Sequence, residues 1–155
     1  MVKIYTDGAA KGNPGPGGYG AILRYGNHEM ELSAGYRLTT NNRMELLAVI
    51  TALEKLNRNP LDITIYSDSK YVVDAVAKGW VFGWEKKGFK GKKNPDLWKR
   101  FLKLFRMHTI HFVWIRGHNG HPENERCDVL AVEASESNNL LIDTYYEESG
   151  NNLFD

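Results

Sequence analysis

Four carboxylates lie where predicted strands end or predicted helices begin, and together they could form a site for divalent cations. Asp7 and Asp68 each end a short run of alternating residues, Glu45 opens a helical pattern, and Asp128 lies one helical turn beyond Asn124. If the fold brings the four together, they would repel one another without cations, and hard divalent ions prefer carboxylate ligands. Two such ions held side by side are a standard apparatus for cleaving phosphodiester bonds.

Taken singly, each of these carboxylates also has a structural interpretation. Asp7 followed by glycine is a common turn dipeptide. Glu45 lies three residues after Asn42, the spacing of a helix cap, and Asp68 could cap the helix that follows it. Asp128 is less easily explained in this way, because aspartate is a poor residue inside a helix. The joint occurrence of all four favours a site.

Two histidines near the end of the last predicted strand are further candidates. His118 follows that strand in a loop, where a histidine beside acids can carry protons near neutral pH. His121 is three residues further on, and the pair raises the possibility of zinc. Because Cys127 is the single cysteine and no other ligand has the spacing of a zinc site, we do not expect structural zinc.

The glycine-rich segment at residues 12–20 contains a false match to a nucleotide-binding motif. Gly15, Gly17 and Gly20 fit G-x-G-x-x-G, but Pro14 and Pro16 interrupt the motif and a strand is predicted to follow. Dinucleotide binding requires a helix at that point, so we reject it. The glycines instead predict either a plain loop or close approach by another backbone, such as a nucleic-acid strand.

The net charge of +1 conceals a strongly uneven distribution. Residues 78–103 carry nine basic residues and two acids, whereas residues 123–155 carry one basic residue and nine acids. A basic segment of this kind is typical of a surface that binds a polyanion. Trp80 and Trp84 alternate with its lysines, and they could meet sugars or bases, although packing in the core is the alternative for either ring.

The length of 155 residues and a hydrophobic content of 42% are typical of one globular domain. No apolar run has the length of a membrane span, no signal peptide is recognisable, and one cysteine permits no internal disulfide. We therefore expect a cytoplasmic monomer without membrane contact.

Hydrophobic periodicity predicts a single α/β domain with a mixed five-stranded sheet flanked by helices. The predicted strands are residues 2–7, 19–26, 28–37, 62–67 and 109–115, and the predicted helices are residues 43–57, 70–77, 96–107 and 122–135. Residues 8–18 are predicted to be loop, and residues 80–93 a short helix followed by a loop. The acidic tail at residues 137–155 shows no clear pattern, and we expect it to be partly ordered.

In its polar motifs the sequence resembles type 1 ribonuclease H in its bacterial form. The matching segments are residues 6–8, 12–20, 39–45, 67–69, 117–118 and 121–128. The resemblance extends from residue 2 to about residue 135. It implies a ribonuclease H-like catalytic domain at residues 1–136, with a basic handle, the protruding segment at about residues 80–94.

The resemblance implies an endonuclease that hydrolyses the RNA strand of RNA–DNA hybrids with two Mg²⁺ ions, for which Mn²⁺ can substitute, leaving 3′-hydroxyl and 5′-phosphate ends. Asp7 would bridge both ions, and Asp128 would help to hold the ion that activates the attacking water. Glu45 and Asp68 would hold the ion that stabilises the leaving oxygen. His118 would assist proton transfer or product release.

The resemblance also implies a set of residues that bind the hybrid duplex. They are Asn13, Thr40, Asn41, Asn42, Arg43, Lys70, Trp80, Trp84, Lys86, Lys87 and Asn94. The three asparagines at 13, 41 and 42 would line the grooves and sense 2′-hydroxyls. Thr40, Arg43 and Asn94 would form a pocket for a phosphate of the DNA strand. The sequence departs from the family in having Lys70 in place of glutamine and a short handle before Asn94.

Two other functions remain open on the sequence. One is a module that binds hybrid or duplex without cutting it, although such a protein gains nothing from acids that face phosphates. The other is a nuclease or recombinase of another class, such as a junction resolvase or a transposase. The basic handle and the asparagine-rich motif favour hybrids over this second alternative.

Overall fold

A computed structural model describes residues 1–117 and 120–151 and contains a mixed five-stranded sheet. The strands are β1 (Val2–Ala10), β2 (Gly15–Tyr25), β3 (His28–Thr39), β4 (Asp62–Ser67) and β5 (Thr109–Trp114), in the spatial order β3-β2-β1-β4-β5. The first three pair in antiparallel fashion, and β4 and β5 run parallel to β1. This architecture confirms the predicted fold class.

Six helices of the described residues flank the sheet. They are α1 (Asn41–Glu54), α2 (Lys70–Ala77), α3 (Trp80–Lys86), α4 (Pro95–Phe105), α5 (Pro122–Ser135) and α6 (Thr144–Asn151). The structure caps α1 with Thr40, whose side chain accepts a hydrogen bond from the backbone N–H of Arg43, so the expected cap at Asn42 is wrong. The helix also ends at Glu54, three residues earlier than its apolar pattern predicts.

The main core lies between the sheet and the helices α1 to α4. Ile4 and Ile65 project from β1 and β4 and are fully buried with Leu46 and Ile50 of α1. Trp98 of α4 is also fully buried and packs edge-on against the ring of Phe101, with ring centroids 5.7 Å apart. Burial of large apolar side chains on this face is the main force that holds α1 against β1.

On the other face of the sheet, α5 lies directly on the backbone of β2 and β3. A Cβ atom added to Gly18, Gly20 or Gly35 would collide with a backbone carbonyl oxygen of α5. Residues 8–18, predicted to be loop, belong largely to β1 and β2, which end and begin at Ala10 and Gly15. The close approach that the glycines allow is therefore used by a helix of the same chain.

The acidic tail is docked against the edge of the sheet. The backbone N–H of Leu141 donates to the carbonyl of Gly35 at 2.8 Å, and its carbonyl accepts from the N–H of Arg37 at 2.9 Å. Beyond this bridge the chain forms α6, for which the sequence shows no periodicity. In the described part of the chain, no helix is both long and apolar enough to span a bilayer.

Placement of α5 depends on the absence of side chains beneath it, so Gly20→Ala should destabilise the fold. The added methyl group would meet the carbonyl oxygen of Cys127, and overpacking of this kind costs about 1–3 kcal/mol. Urea denaturation followed by circular dichroism measures the change in the free energy of unfolding.

Gly83→Ala is the matched control, because a Cβ atom there would meet nothing within 4 Å and Gly83 lies inside α3. We expect this variant to be as stable as the wild type or more stable, by up to about 1 kcal/mol. Equal effects of the two substitutions would contradict the proposed packing of α5.

Candidate active site

Three of the four predicted carboxylates meet at one end of the sheet. Asp7, Glu45 and Asp68 each place a carboxylate oxygen within 4.8 Å of the others. Because β1 and β4 run parallel, with Tyr5 beside Tyr66, the acids that follow these tyrosines by two residues come to the same edge. The sequence motifs of three separate segments therefore converge on one site.

Two glycines allow the surrounding backbone to come close to these acids. A Cβ atom at Gly8 would lie 2.5 Å from the backbone nitrogen of Glu45, so only glycine lets α1 pass so near to β1. A Cβ atom at Gly117 would lie 2.6 Å from Oδ2 of Asp68. Helix α1 and the loop after β5 are thus both pressed against the cluster.

Asp128 lies on α5, close enough to Asp7 for its charge and a side-chain hydrogen bond to raise the pKa of that acid. Gly20 pairs with Asp7 in the sheet and is the residue over which the α5 backbone passes. The glycine contact therefore fixes the position from which Asp128 faces Asp7.

The structural interpretations of these acids are excluded by the geometry. β1 continues to Ala10, so Asp7 is not in a turn, although its Oδ1 accepts from the N–H of Gly8 at 2.9 Å. Ser69, rather than Asp68, caps α2 and accepts a hydrogen bond from Val72. Neither Asp68 nor Glu45 acts as a helix cap.

Burial, followed by repulsion between the acids, raises the pKa values of the cluster. Burial, together with the charges of Asp68 and Asp128, raises the pKa of Asp7 to about 8. Burial and the charges of Asp7 and Asp68 also raise the pKa of Glu45 well above its ordinary range. Carboxyls that share a poorly hydrated site cannot all ionise at neutral pH unless positive charge is supplied.

The donor set fits a divalent cation. Among the described residues, Oε1 of Glu45, one of the three clustered acids, is buried without a hydrogen-bond donor. Carboxylate oxygens are the ligands that Mg²⁺ and Mn²⁺ prefer. His118, the predicted proton carrier, lies outside the described residues.

Several of the residues predicted to bind the hybrid line one cavity of ≈ 570 Å³. They are Asn13, Thr40, Asn42, Arg43 and Asn94. Asn41 acts differently. Its side-chain Oδ1 accepts a hydrogen bond from the backbone N–H of Ala10, and its backbone N–H donates to Oδ1 of Asn13 at 2.9 Å. These bonds fix the turn between β1 and β2 against the start of α1.

Arg43 is buried behind this cavity with every donor of its guanidinium engaged. Nε and Nη2 donate to Asp143, Nη1 and Nη2 donate to Asp96, and Nη1 also donates to Oδ1 of Asn94. A guanidinium has five N–H groups, so none remains for a phosphate. In this structure Arg43 binds the walls of the cavity together.

The predicted handle divides between the core and the surface. Trp84 packs edge-on against Trp98 with ring centroids 5.9 Å apart, whereas Trp80 is 49% exposed. Lys86 and Lys87 are exposed beside them. Of the two alternatives for these rings, packing against the core holds for Trp84.

Lys70 lies beside the carboxylate cluster at the first residue of α2. Its Nζ is 4.9 Å from the centre of the Trp114 ring, and the indole N–H of Trp114 donates to the backbone carbonyl of Asp68 at 3.2 Å. The sequence contained no signal for Trp114, because its place beside Asp68 depends on the pairing of β4 with β5.

Sequence reasoning did not place Lys92, Lys93, Tyr145 or Tyr146 in this cavity, which they line. The two lysines were visible as part of the basic segment, but nothing placed them beside Thr40. The tyrosines lie in the tail, where the polar pattern predicts no element.

The sheet order and the carboxylate centre at the end of its central strand define the class of protein, a nuclease with the ribonuclease H-like fold. A family model described as RNase H matches residues 1–136. The chain belongs to the ribonuclease H family and is an enzyme of that family. Use of a divalent metal is a property of this family and agrees with the acidic cluster.

Individual relatives agree with this assignment. The chain is 54% identical to the ribonuclease H of Rippkaea orientalis over 154 residues, which cover 96% of this chain and 94% of the relative. It is 55% identical to the ribonuclease H of Syntrophus aciditrophicus over 151 residues, covering 94% and 87%.

Solved structures show the same fold. LC9-RNase H1, a type 1 RNase H with the type 2 active-site motif, superposes with a TM-score of 0.80 at 31% identity, covering 95% of this chain and 79% of that one. LC11-RNase H1, solved in complex with an RNA/DNA hybrid, gives a TM-score of 0.63 at 30% identity, covering 88% and 97%.

Because the cluster is repulsive, Asp7→Asn should stabilise the metal-free protein. The folded state keeps protons that the unfolded chain releases, so the free energy of unfolding of the wild type should fall from about pH 4 up to the folded-state pKa of Asp7, about 8. Asparagine removes this penalty, and we expect a gain on the order of 2 kcal/mol at pH 8, or roughly 4–8 °C in Tm.

Thermal unfolding in EDTA at pH 5 and pH 8 measures the effect. Asp62→Asn, at the exposed opposite end of β4, is the control and should leave Tm unchanged. A lower Tm for Asp7→Asn than for the wild type at pH 8 would contradict the repulsive arrangement.

Proposed function

We propose that this enzyme is an endonuclease that hydrolyses the RNA strand of RNA–DNA hybrids by a two-metal-ion mechanism and leaves 3′-hydroxyl and 5′-phosphate ends. The observation that carries the proposal is the convergence of Asp7, Glu45 and Asp68 within 4.8 Å, with Asp128 facing Asp7. The relative LC11-RNase H1, solved with an RNA/DNA hybrid, supports the choice of substrate.

The pattern of interactions among the acids supports a central role for Asp7. Asp7 interacts with both Asp68 and Asp128, whereas the charges acting on Glu45 are those of Asp7 and Asp68. Asp7 would therefore be shared between two ions, with Asp128 on one side and Glu45 and Asp68 on the other. Bound divalent ions would supply positive charge for the phosphate and lower the pKa of an attacking water.

The remaining steps fall to side chains around the cluster. We assign proton transfer or product release to His118, because it follows Gly117, which lies against Asp68. We assign to Lys70, beside the cluster, a contact with a phosphate or sugar of the strand that is cut. Mg²⁺ is the proposed ion, for which Mn²⁺ can substitute.

Recognition of the hybrid is assigned to the cavity and the handle. Asn13, Asn41 and Asn42 carry amides suited to 2′-hydroxyls and base edges, and Thr40 and Asn94 offer neutral donors to a DNA phosphate. On the handle, the exposed Trp80 ring and the ammonium groups of Lys86 and Lys87 provide the aromatic and cationic groups that nucleic acids bind. Trp84, which is half-buried, is also assigned to the hybrid-binding surface of the handle.

We further propose that the enzyme works as a monomer in the cytoplasm. The single cysteine, Cys127, is buried, and burial raises the pKa of its thiol to about 12. A thiol in this state forms disulfides slowly, so the protein requires neither an oxidising compartment nor a covalent partner.

Cleavage of a strand-labelled hybrid tests the proposal directly. With Mg²⁺ the wild type should cut the RNA strand and leave the DNA strand and an all-DNA duplex intact. EDTA should abolish the cuts, and Asp7→Asn should slow them by roughly a thousandfold, because several kcal/mol of charge stabilisation are lost.

Two further variants complete this assay. His118→Ala should lower kcat by about a hundredfold, the usual contribution of a proton-transferring histidine, whereas the exposed His111→Ala should match the wild type. Binding of the hybrid without any Mg²⁺-dependent cutting would overturn the nuclease assignment and favour a non-cleaving binding module.

A further inference from the structure

The cavity that contains Thr40 and Asn94 is built from four separate parts of the chain. The start of α1 forms one wall, the segment before α4 forms a second, α6 forms the third with Tyr145 and Tyr146, and the turn that contains Asn13 forms the fourth. Its volume of ≈ 570 Å³ is within the usual range for ligand sites, about 300–1,000 Å³. The third wall belongs to the tail, beyond the residues matched by the family model.

The positive charge in this cavity does not come from Arg43. The guanidinium is 2% exposed and is paired with both Asp96 and Asp143, so the buried triad carries a net negative charge. The available cations are Lys92 and Lys93, which line the cavity and are exposed. An anion that enters the cavity would therefore be drawn to the lysines opposite α6.

The tyrosines of α6 are held in place by the same buried triad. The Cζ of Arg43 lies 5.3 Å from the ring centre of Tyr145 and 6.0 Å from that of Tyr146. Asp143 accepts hydrogen bonds from Arg43 and from the hydroxyl of Thr39 immediately before α6 begins. The rings are therefore positioned before any ligand binds, which lowers the entropic cost of using them.

A second anchor holds the outer side of α6. Arg37 of β3 donates two hydrogen bonds, of 2.9 and 2.8 Å, to the carboxylate of Glu147. With the backbone bridge at Leu141, this pair fixes the helix to the edge of the sheet. Tyr145 nevertheless remains 43% exposed, so its ring and hydroxyl are available to a ligand.

We propose that α6 is part of the hybrid-binding surface, with Tyr145 and Tyr146 contacting the sugar–phosphate backbone of the DNA strand opposite Lys92 and Lys93. This inference rests on the proposed function, because the strand is the one whose phosphate is assigned to Thr40 and Asn94. An exposed tyrosine beside two lysines offers a flat face to a sugar, a hydroxyl to a phosphate oxygen, and the charge that a polyanion requires.

Binding of a labelled RNA–DNA hybrid in EDTA tests the role of the tyrosine without cleavage. Tyr145→Ala should raise Kd by roughly tenfold, and with Mg²⁺ it should raise KM more than it lowers kcat. Tyr25→Ala is the matched control, because Tyr25 is 47% exposed at the far end of β2. Tyr145→Phe separates the contribution of the hydroxyl from that of the ring.

The identity of the strand is tested by replacing single phosphates with uncharged methylphosphonates. In the wild type, replacement at one or two DNA positions should weaken binding, and this sensitivity should shrink in both Tyr145→Ala and Lys93→Ala. Lys93→Ala keeps the test decisive if loss of the Tyr145 ring loosens the tail, because Lys93 is exposed and lies outside the buried triad.

Each outcome separates this inference from the proposed function. A wild type that cuts the hybrid, with Tyr145→Ala and Lys93→Ala retaining full affinity, would overturn the inference alone. The inference would also be overturned if the two variants lost sensitivity to methylphosphonates on the RNA strand but kept it for those on the DNA strand. A wild type that neither binds nor cuts the hybrid would overturn the proposed function itself.

Discussion

Mutual repulsion among buried carboxylates is the constraint on which the rest of the site depends. Asp7, Glu45 and Asp68 come within 4.8 Å although like charges in a poorly hydrated site oppose such contact. The backbone holds them there, because Gly8 lets α1 pass close to β1 and Gly20 lets α5 pass close to β2. Burial of apolar side chains beneath α1 offsets the unfavourable free energy of bringing the acids together. Such an arrangement is useful only if positive charge binds there.

A second buried charge, that of Arg43, holds together the segments that line the cavity. Its five N–H groups hold Asn94 and Asp96 of the segment that begins α4, and Asp143 at the start of the tail. A buried guanidinium must be paired in this way, since an unpaired one would be very costly. The same interactions place the Tyr145 ring at the mouth of the cavity. The fold thus combines an acidic cluster whose donors suit a divalent cation with an ion-paired cluster around Arg43 that shapes the cavity.

Short sequence patterns predicted the strands that position Asp7 and Asp68. The strands that carry Asp7 and lead to Asp68 follow from short alternating runs, although β1 continues beyond Asp7 to Ala10, and parallel pairing then brings the two acids to one edge. Arg43 was harder to interpret, because Asp96 and Asp143 lie 53 and 100 residues away and no local spacing reveals them. The glycines of β2 were predicted to admit another backbone, but which backbone depends on the packing of α5. Helix α6 has little apolar periodicity and is held by tertiary contacts, so its sequence alone gave no reason to expect it.

Direct titration of the site carboxyls by ¹³C NMR, with and without Mg²⁺, tests the central claim. The account predicts that Asp7 titrates with a pKa of about 8 in the metal-free protein. With saturating Mg²⁺ the same carboxyl should stay ionised down to about pH 4 or below, because bound cations reverse the sign of the local field. An ordinary aspartate pKa in the metal-free protein, or one that Mg²⁺ does not change, would contradict the claim that cations are what this arrangement of acids requires.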